Sequence, residues 1–196
     1  MVKIAVLVSG GGTNLQALID ARGSVIKSAD IALVATHNPN AYALTRAKNA
    51  GIETLVLTNK ETFEADLINA LEQKGIDLII LAGFMRILSS DFTRKYDKRI
   101  INVHPALIPS FCGKGYYGLK VHEEALKYGV KVTGATVHFV NEIPDGGEII
   151  LQKAVDILEG DTPEILQKRV MQEAEWKLLP LAAEIVSQRI EKERDK

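Results

Sequence analysis

Four short apolar runs in the first half of the chain, separated by segments with helical spacing, constrain the fold more than any other feature. They lie at residues 3–9, 31–36, 52–57 and 77–82, and each is nearly continuous, which is typical of parallel strands covered on both faces. Helical patterns of about a dozen residues separate the runs. This alternation predicts an open, right-handed, parallel α/β sheet.

The second half of the chain predicts two antiparallel strands added to that sheet. Residues 131–140 alternate between apolar and polar side chains, and residues 148–155 return as another strand after a glycine-containing turn. A helix is expected over 164–179, where Pro180 kinks or breaks it, and the charged tail at about 188–196 is expected to fray. The predicted fold is an open mixed, mostly parallel sheet flanked by helices, with an antiparallel hairpin near the carboxyl-terminal half.

Length and composition indicate a single α/β domain over residues 1–196 with an ordinary hydrophobic core. Lysine and arginine number 24 against 25 acidic residues, so the net charge of −1 gives no sign of a nucleic-acid surface. One cysteine, Cys112, excludes an internal disulfide, and no cysteine or histidine spacing suggests a metal. The first residues resemble a strand, not a signal peptide, and no apolar run approaches the roughly 20 residues that span a bilayer. We therefore expect a cytoplasmic protein without nucleic-acid or membrane partners.

A glycine-rich turn joins the first predicted strand to the first helix. Its residues are Gly10, Gly11, Gly12, Thr13 and Asn14. Backbone N–H groups at such a helix start bind anions, and Thr13 or Asn14 adds side-chain donors. The spacing matches neither the dinucleotide-binding nor the P-loop signature. Two interpretations stay open: a phosphate site, and a tight strand–helix turn capped by Thr13 or Asn14.

Asn102 and His104 lie two residues apart at the end of a fifth predicted strand, just before Pro105. Strand alternation points both side chains to one face, at the edge where open α/β sheets bind ligands. An amide donor beside a titratable imidazole suits an oxyanion that develops next to a proton-transfer centre. The alternative interpretation is that Asn102 caps a turn and His104 fills a strand end.

Two further stretches have possible functions. Residues 83–88 are mostly apolar around Arg86 and suit a pocket for a flat, partly apolar ligand, or else a buried connection whose arginine reaches solvent. Residues 110–120 combine glycines with aromatic side chains, which favours a mobile flap over a plain surface connection. Cys112 in this stretch is interpreted as a bystander, and His122 is expected on the surface of the next helix.

Four motifs occur together in one order: 9–14 (Ser-Gly-Gly-Gly-Thr-Asn), 81–88 (Leu-Ala-Gly-Phe-Met-Arg-Ile-Leu), 102–105 (Asn-Val-His-Pro) and 145–147 (Asp-Gly-Gly). Together they resemble the phosphoribosylglycinamide formyltransferase family, the folate-dependent formyltransferases of purine synthesis, over essentially the whole chain. The Asn-x-His-Pro motif with a downstream aspartate marks the wider group of enzymes that use 10-formyltetrahydrofolate. The glycine turn and Phe-Met-Arg-Ile-Leu are more specific to the glycinamide branch.

The resemblance implies transfer of a formyl group from the co-substrate 10-formyltetrahydrofolate to the amine of glycinamide ribonucleotide, without a metal. The implied catalytic residues are Asn102, His104 and Asp145. The implied ribonucleotide site comprises Gly11, Gly12, Thr13, Asn14 and Glu175. The implied folate site comprises Lys60, Met85, Arg86, Ile87, Leu88, Asn102, Asn141, Glu142, Ile143, Pro144 and Asp145. The protein would be a monomer or a homodimer.

The expected mechanism is direct attack of the amine on the formyl carbon. Asn102 donates an N–H to the oxyanion, a protonated His104 supplies a second donor, and an ionised Asp145 assists the proton transfer. In isolation, an aspartate in a turn is explained by turn chemistry alone.

The sequence departs from the family's pattern in three places. Ala106 follows His-Pro where serine is usual, residues 112–119 replace a shorter segment, and Glu148 stands where proline is common. Three alternatives to the main interpretation remain open. They are a formyltetrahydrofolate hydrolase, a methionyl-tRNA formyltransferase, which normally carries an added RNA-binding domain, and a non-catalytic nucleotide- or folate-binding module.

Overall fold

The computed structural model describes residues 1–195 as one seven-stranded sheet with helices on both faces. The strands are Val2–Val8 (β1), Ala29–Thr36 (β2), Glu53–Val56 (β3), Leu78–Leu81 (β4), Ile100–His104 (β5), Val132–Phe139 (β6) and Ile149–Asp156 (β7). The α-helices are Thr13–Asp20 (α1), Ala43–Asn49 (α2), Phe63–Lys74 (α3), Ser90–Lys95 (α4), Leu119–Tyr128 (α5), Pro163–Val170 (α6) and Trp176–Arg194 (α7). A π-helical turn, Met171–Glu175, joins α6 to α7.

The strand order is β3-β2-β1-β4-β5-β6-β7. Strands β1 to β5 are parallel, whereas β6 is antiparallel to both of its neighbours. The predicted fold class, a mostly parallel sheet with an antiparallel hairpin, is confirmed.

Two apolar layers cover the sheet, because successive residues of a strand point to opposite faces. In β1, Ile4 and Val6 pack in the cluster that contains α1, α2, α6 and α7. Ala5 and Leu7 pack in the cluster that contains α3 and α4. Burial on both faces explains why the parallel strands are continuous apolar runs in the sequence.

The predicted helix over 164–179 is wrong in its boundaries. Helix α6 ends at Val170, and the backbone then widens into the π turn, where Trp176 N–H donates to the Met171 carbonyl five residues earlier. Helix α7 runs through Pro180 without ending. Its inner face is buried against the sheet, and this burial offsets the one hydrogen bond that the proline cannot donate.

The charged tail continues α7 as far as Arg194, and its fraying stays a prediction. Ile190 is buried, Arg99 Nη2 lies 2.6 Å from Glu193 Oε2, and Arg194 pairs with Asp77. Lys196 lies outside the described residues. None of the helices in residues 1–195 has the length and apolar character that a membrane span requires.

Candidate active site

The candidate active site lies at the carboxyl ends of β1, β4 and β5. The chain after β1 enters α1 on one face of the sheet, and the chain after β4 leads to α4 on the other face, so a crevice opens between them. A cavity of about 670 Å³ occupies this crevice, and its lining includes Asn14, Asn102, His104, Asp145 and Glu175. The topology thus brings together residues that are far apart in the sequence.

The glycine turn after β1 is fixed by close packing. Gly12 has a φ of +72°, and a Cβ atom there would lie 2.6 Å from the Cβ of Ala43. Only glycine fits this position without strain. Because α1 begins at Thr13, the free N–H groups of its first turn lie at this loop.

Asn14 connects the glycine turn to the carboxyl-terminal helices. Its Nδ2 atom donates to Glu175 Oε2 over 2.7 Å. Glu175 is 6% exposed, and burial raises the pKa of its carboxyl group to about 6, although the hydrogen bond from Asn14 opposes the shift. The π turn therefore places an acid with an unusually high pKa beside the predicted phosphate loop.

The other predicted ribonucleotide residues contribute less to the cavity wall. Thr13 lines a separate cavity on the far side of α1, beside Trp176. The Gly11 carbonyl accepts a hydrogen bond from Arg46 Nε at 2.8 Å. Gly11 and Gly12 line none of the three main cavities.

The imidazole of His104 and the carboxylate of Asp145 face each other. The distance between Nδ1 and Oδ2 is 3.5 Å, and both side chains are mostly buried. Asp145 has a φ of +57° in the turn before β7, and Gly113 N–H donates to its Oδ2 atom at 2.8 Å. The two groups of the predicted proton-transfer pair thus share one cavity, and their roles stay predictions.

His138 is a site residue that the sequence interpretation missed. On β6 it lies directly opposite Asn102 of β5. Its Nε2 atom is 3.2 Å from Asn102 Nδ2 and 3.6 Å from Asp145 Oδ1, while its Nδ1 atom is 2.8 Å from the Phe139 carbonyl oxygen. The assigned tautomer has Nδ1–H donating to Phe139, which leaves Nε2 to accept the Asn102 N–H and orient that amide. The alternation of apolar and polar side chains over residues 131–140 was the only feature of the sequence that could have indicated His138 as a site residue.

The electrostatics of the pair follow from burial and short contacts. Burial lowers the pKa of His104, and the Asp145 carboxylate and the Phe111 carbonyl, 2.8 Å from Nε2, oppose this without overcoming it. For Asp145, burial acts to raise the pKa, but contacts with His138, His104 and the Gly113 N–H outweigh it and lower the pKa. At neutral pH, Asp145 is ionised beside an imidazole that burial keeps largely neutral.

A smaller cavity of about 140 Å³ continues the crevice beside Leu81 and Val140. Nine of the eleven predicted folate residues line it: Arg86, Ile87, Leu88, Asn102, Asn141, Glu142, Ile143, Pro144 and Asp145. Met85 is 55% exposed and lines only the larger cavity. Lys60 is exposed and lines none of the three main cavities.

The segment between β5 and α5 covers His104 and Asp145. Its residues 113–118 line the larger cavity, and its backbone contacts both His104 and Asp145. Burial raises the pKa of the Cys112 thiol, which argues against a nucleophile and agrees with its interpretation as a bystander.

The expected surface position of His122 is wrong. His122 is fully buried with Val121 and Ala125 on the inner face of α5, and it lines the larger cavity.

Comparisons with known proteins agree with one another. The family model described as formyl transferase matches residues 2–183. The phosphoribosylglycinamide formyltransferase of Haemophilus influenzae is 42% identical over 186 residues, covering 92% of this chain and 85% of that protein. The crystal structure of glycinamide ribonucleotide transformylase 1 from Symbiobacterium toebii gives a TM-score of 0.88 at 41% identity, covering 96% of this chain and 88% of that chain.

Some relatives are much longer. The trifunctional purine biosynthetic protein adenosine-3 of Homo sapiens is 44% identical over 190 residues, which cover 94% of this chain and 18% of that protein. The chain spans less than a fifth of the length of such relatives.

Proposed function

Because the chain belongs to the formyl transferase family, we propose that it transfers the formyl group of 10-formyltetrahydrofolate to the amine of glycinamide ribonucleotide in purine synthesis. The observation that carries the proposal is the single crevice that holds Asn102, His104 and Asp145. The pair Asn14 and Glu175 closes one side of that crevice. The names of the relatives in Haemophilus influenzae and Symbiobacterium toebii support the choice of the ribonucleotide as acceptor.

The two cavities suit two substrates held side by side. The smaller, partly apolar cavity would take the pteridine of the folate, with polar backbone and side chains of 141–145 along one wall. The larger cavity would take the ribonucleotide, with its phosphate at the first turn of α1 and its ribose near Glu175. Holding both substrates in one crevice makes the reaction effectively unimolecular, which is worth several kcal/mol of the barrier.

Asn102 would stabilise the tetrahedral intermediate. The amine nitrogen forms a bond to the formyl carbon, and the carbonyl oxygen takes up negative charge. An amide N–H donates to that oxygen without changing protonation state. In the structure, Asn102 Nδ2 lies 3.2 Å from His138 Nε2; in the tautomer with the proton on Nδ1, that nitrogen would accept the Asn102 N–H and fix the amide so that its second N–H faces the crevice.

His104 and Asp145 would assist the transfer of a proton from the amine to N10. The attacking amine loses one proton, and N10 of the folate gains one as its bond to the formyl carbon breaks. Asp145 is the ionised group of the pair and would accept the proton from the amine and then return it to N10, directly or through water, so that the carboxylate is restored. The Nε2–H of His104, which lies 2.8 Å from the Phe111 carbonyl oxygen, would supply a second donor to the oxyanion once substrates displace that carbonyl, and it can do so from a neutral ring.

The test is incubation of the purified chain with 10-formyltetrahydrofolate, with and without glycinamide ribonucleotide. The proposal expects formylated ribonucleotide and tetrahydrofolate in equal amounts, and no turnover without the ribonucleotide. Release of formate without the acceptor would instead indicate the hydrolase alternative. Binding of both compounds without turnover would indicate a non-catalytic module.

A further inference from the structure

His122 is a buried imidazole that the proposed mechanism does not use. It lies in the first turns of α5 and is 0% exposed. Neither ring nitrogen is accessible to solvent, and neither has a hydrogen-bond partner within residues 1–195. Burying an imidazole without partners for both nitrogens is costly, so a well-packed apolar side chain would suit this position better for stability alone.

The surroundings of His122 indicate which ligand could supply those partners. His122 lines the larger cavity together with Gln167, Met171 and Glu175, all from α6 and the π turn. It does not line the smaller cavity, where most of the predicted folate residues lie. This distribution places His122 on the ribonucleotide side of the crevice.

The charge state of His122 indicates which chemical group of the ribonucleotide it could bind. Burial, assisted by electrostatic coupling to the neighbouring imidazole of His104, lowers the pKa of His122 to about 4. The ring is therefore neutral at physiological pH, and a neutral imidazole offers one N–H donor and one lone pair. That pair of groups matches an amide or an amine, which offers both donors and acceptors, better than it matches a phosphate dianion.

We propose that His122 is a binding residue for the acceptor substrate, and that its imidazole hydrogen-bonds the glycinamide group of the ribonucleotide beside His104. The inference rests on the proposed function. The ligand gains access when residues 113–118 move, because they form the neighbouring wall of the cavity and include three glycines. The nitrogens of the buried His122 ring would then gain hydrogen-bond partners only when the acceptor substrate is bound.

The experiment compares the wild type with His122→Phe and His122→Gln. For His122→Phe we expect the KM and the calorimetric Kd for glycinamide ribonucleotide to rise about 10- to 30-fold, as expected for loss of two neutral hydrogen bonds. The KM for 10-formyltetrahydrofolate stays within twofold, and the Tm without ligand is unchanged or higher. His122→Gln retains a donor and an acceptor, so it recovers most of the affinity. His122→Leu, a smaller apolar replacement, should show the same loss as His122→Phe and takes its place if the phenylalanine variant does not fold.

Val121→Ala is the matched control, because it removes packing from the adjacent buried position of the same helix. It should lower the Tm and leave both KM values unchanged.

The inference is overturned if the apolar replacement of His122 binds the ribonucleotide as tightly as the wild type, or if only the folate KM rises. A wild type that neither binds the ribonucleotide nor transfers formyl to it would reject the proposed function together with this inference. A wild type that does both, with unaffected variants, would reject the inference alone.

Discussion

The parallel part of the sheet and the carboxyl-terminal part of the molecule deliver site residues in different ways. In the parallel part, Asn102 and His104 lie at the end of β5, where the strand meets the ligand edge. In the carboxyl-terminal part, Asp145 lies in a turn with a positive φ, and Glu175 lies in a π turn. Regular strand geometry is enough for the first group, whereas the second needs irregular backbone held by long-range packing.

The proposed role of the carboxyl-terminal part in proton transfer can be tested at Asp145, in the turn before β7. Asp145→Asn keeps the size and polarity of the side chain but removes its charge, so we expect kcat to fall about 10²- to 10⁴-fold through loss of proton transfer. Binding of the ribonucleotide, measured by calorimetry, stays unchanged. Asp156→Asn, an exposed aspartate on β7, is the control and should keep full activity. If Asp145→Asn turned over at the wild-type rate, the carboxyl-terminal part would not contribute to proton transfer through this residue.

The proposed role of the parallel part in stabilising the oxyanion is tested at Asn102. Asn102→Ala removes the proposed oxyanion donor, and we expect kcat to fall about 10²- to 10³-fold with little change in either KM. Single-turnover kinetics locate the loss in the chemical step. Asn49→Ala, an exposed asparagine at the end of α2, controls for the substitution itself. A defect confined to KM would make Asn102 a binding residue only.

The rigidity of the glycine turn is tested by two glycines with the same φ of +72°. Gly12→Ala combines backbone strain with the contact to Ala43 and should lower the free energy of unfolding by roughly 3 kcal/mol. Gly23→Ala has no atom near its new Cβ and should cost only about 1–2 kcal/mol. Urea unfolding measures both. Equal losses would show that close packing does not fix the turn.

The smallest expected effect concerns Glu175 and pH. Since the pKa is about 6 in the folded protein and near 4.5 in the unfolded chain, the folded state binds more protons in this window, and stability falls as pH rises through it. Glu175→Gln removes the cost of ionising a buried carboxyl group. Its gain in unfolding free energy over the wild type should therefore be about 1 kcal/mol larger at pH 8 than at pH 5. Glu173→Gln, at an exposed position of the same turn, is the matched control. A pH-independent gain would mean that Glu175 titrates normally.

Local patterns predicted one side of the site well. The alternation of Asn102 and His104 and the apolar runs before them follow from strand geometry, which needs no knowledge of distant residues. The same alternation on β6 held the signal for His138, but recognising it required knowing that β6 pairs with β5. His122 was misplaced because the sequence does not show that α5 packs against α6.

The carboxyl-terminal helices show most clearly what the sequence leaves open. Proline at 180 predicts a kink or the end of a helix, since it disfavours helix on local grounds. Burial of the inner face of α7 against the sheet outweighs that preference. The position of Glu175 came from the resemblance to a family and not from any spacing in the chain.

The sequence by itself determined the class of fold, the sheet edge that carries the site, and the residue types that meet there. These depend on periodicity and turn chemistry, which act over a few neighbours. Only the tertiary structure decided that His138 orients Asn102, that Asp145 faces His104, and that Asn14 contacts Glu175 across 161 positions. Such contacts depend on how the elements pack, and packing is decided by the burial of whole surfaces.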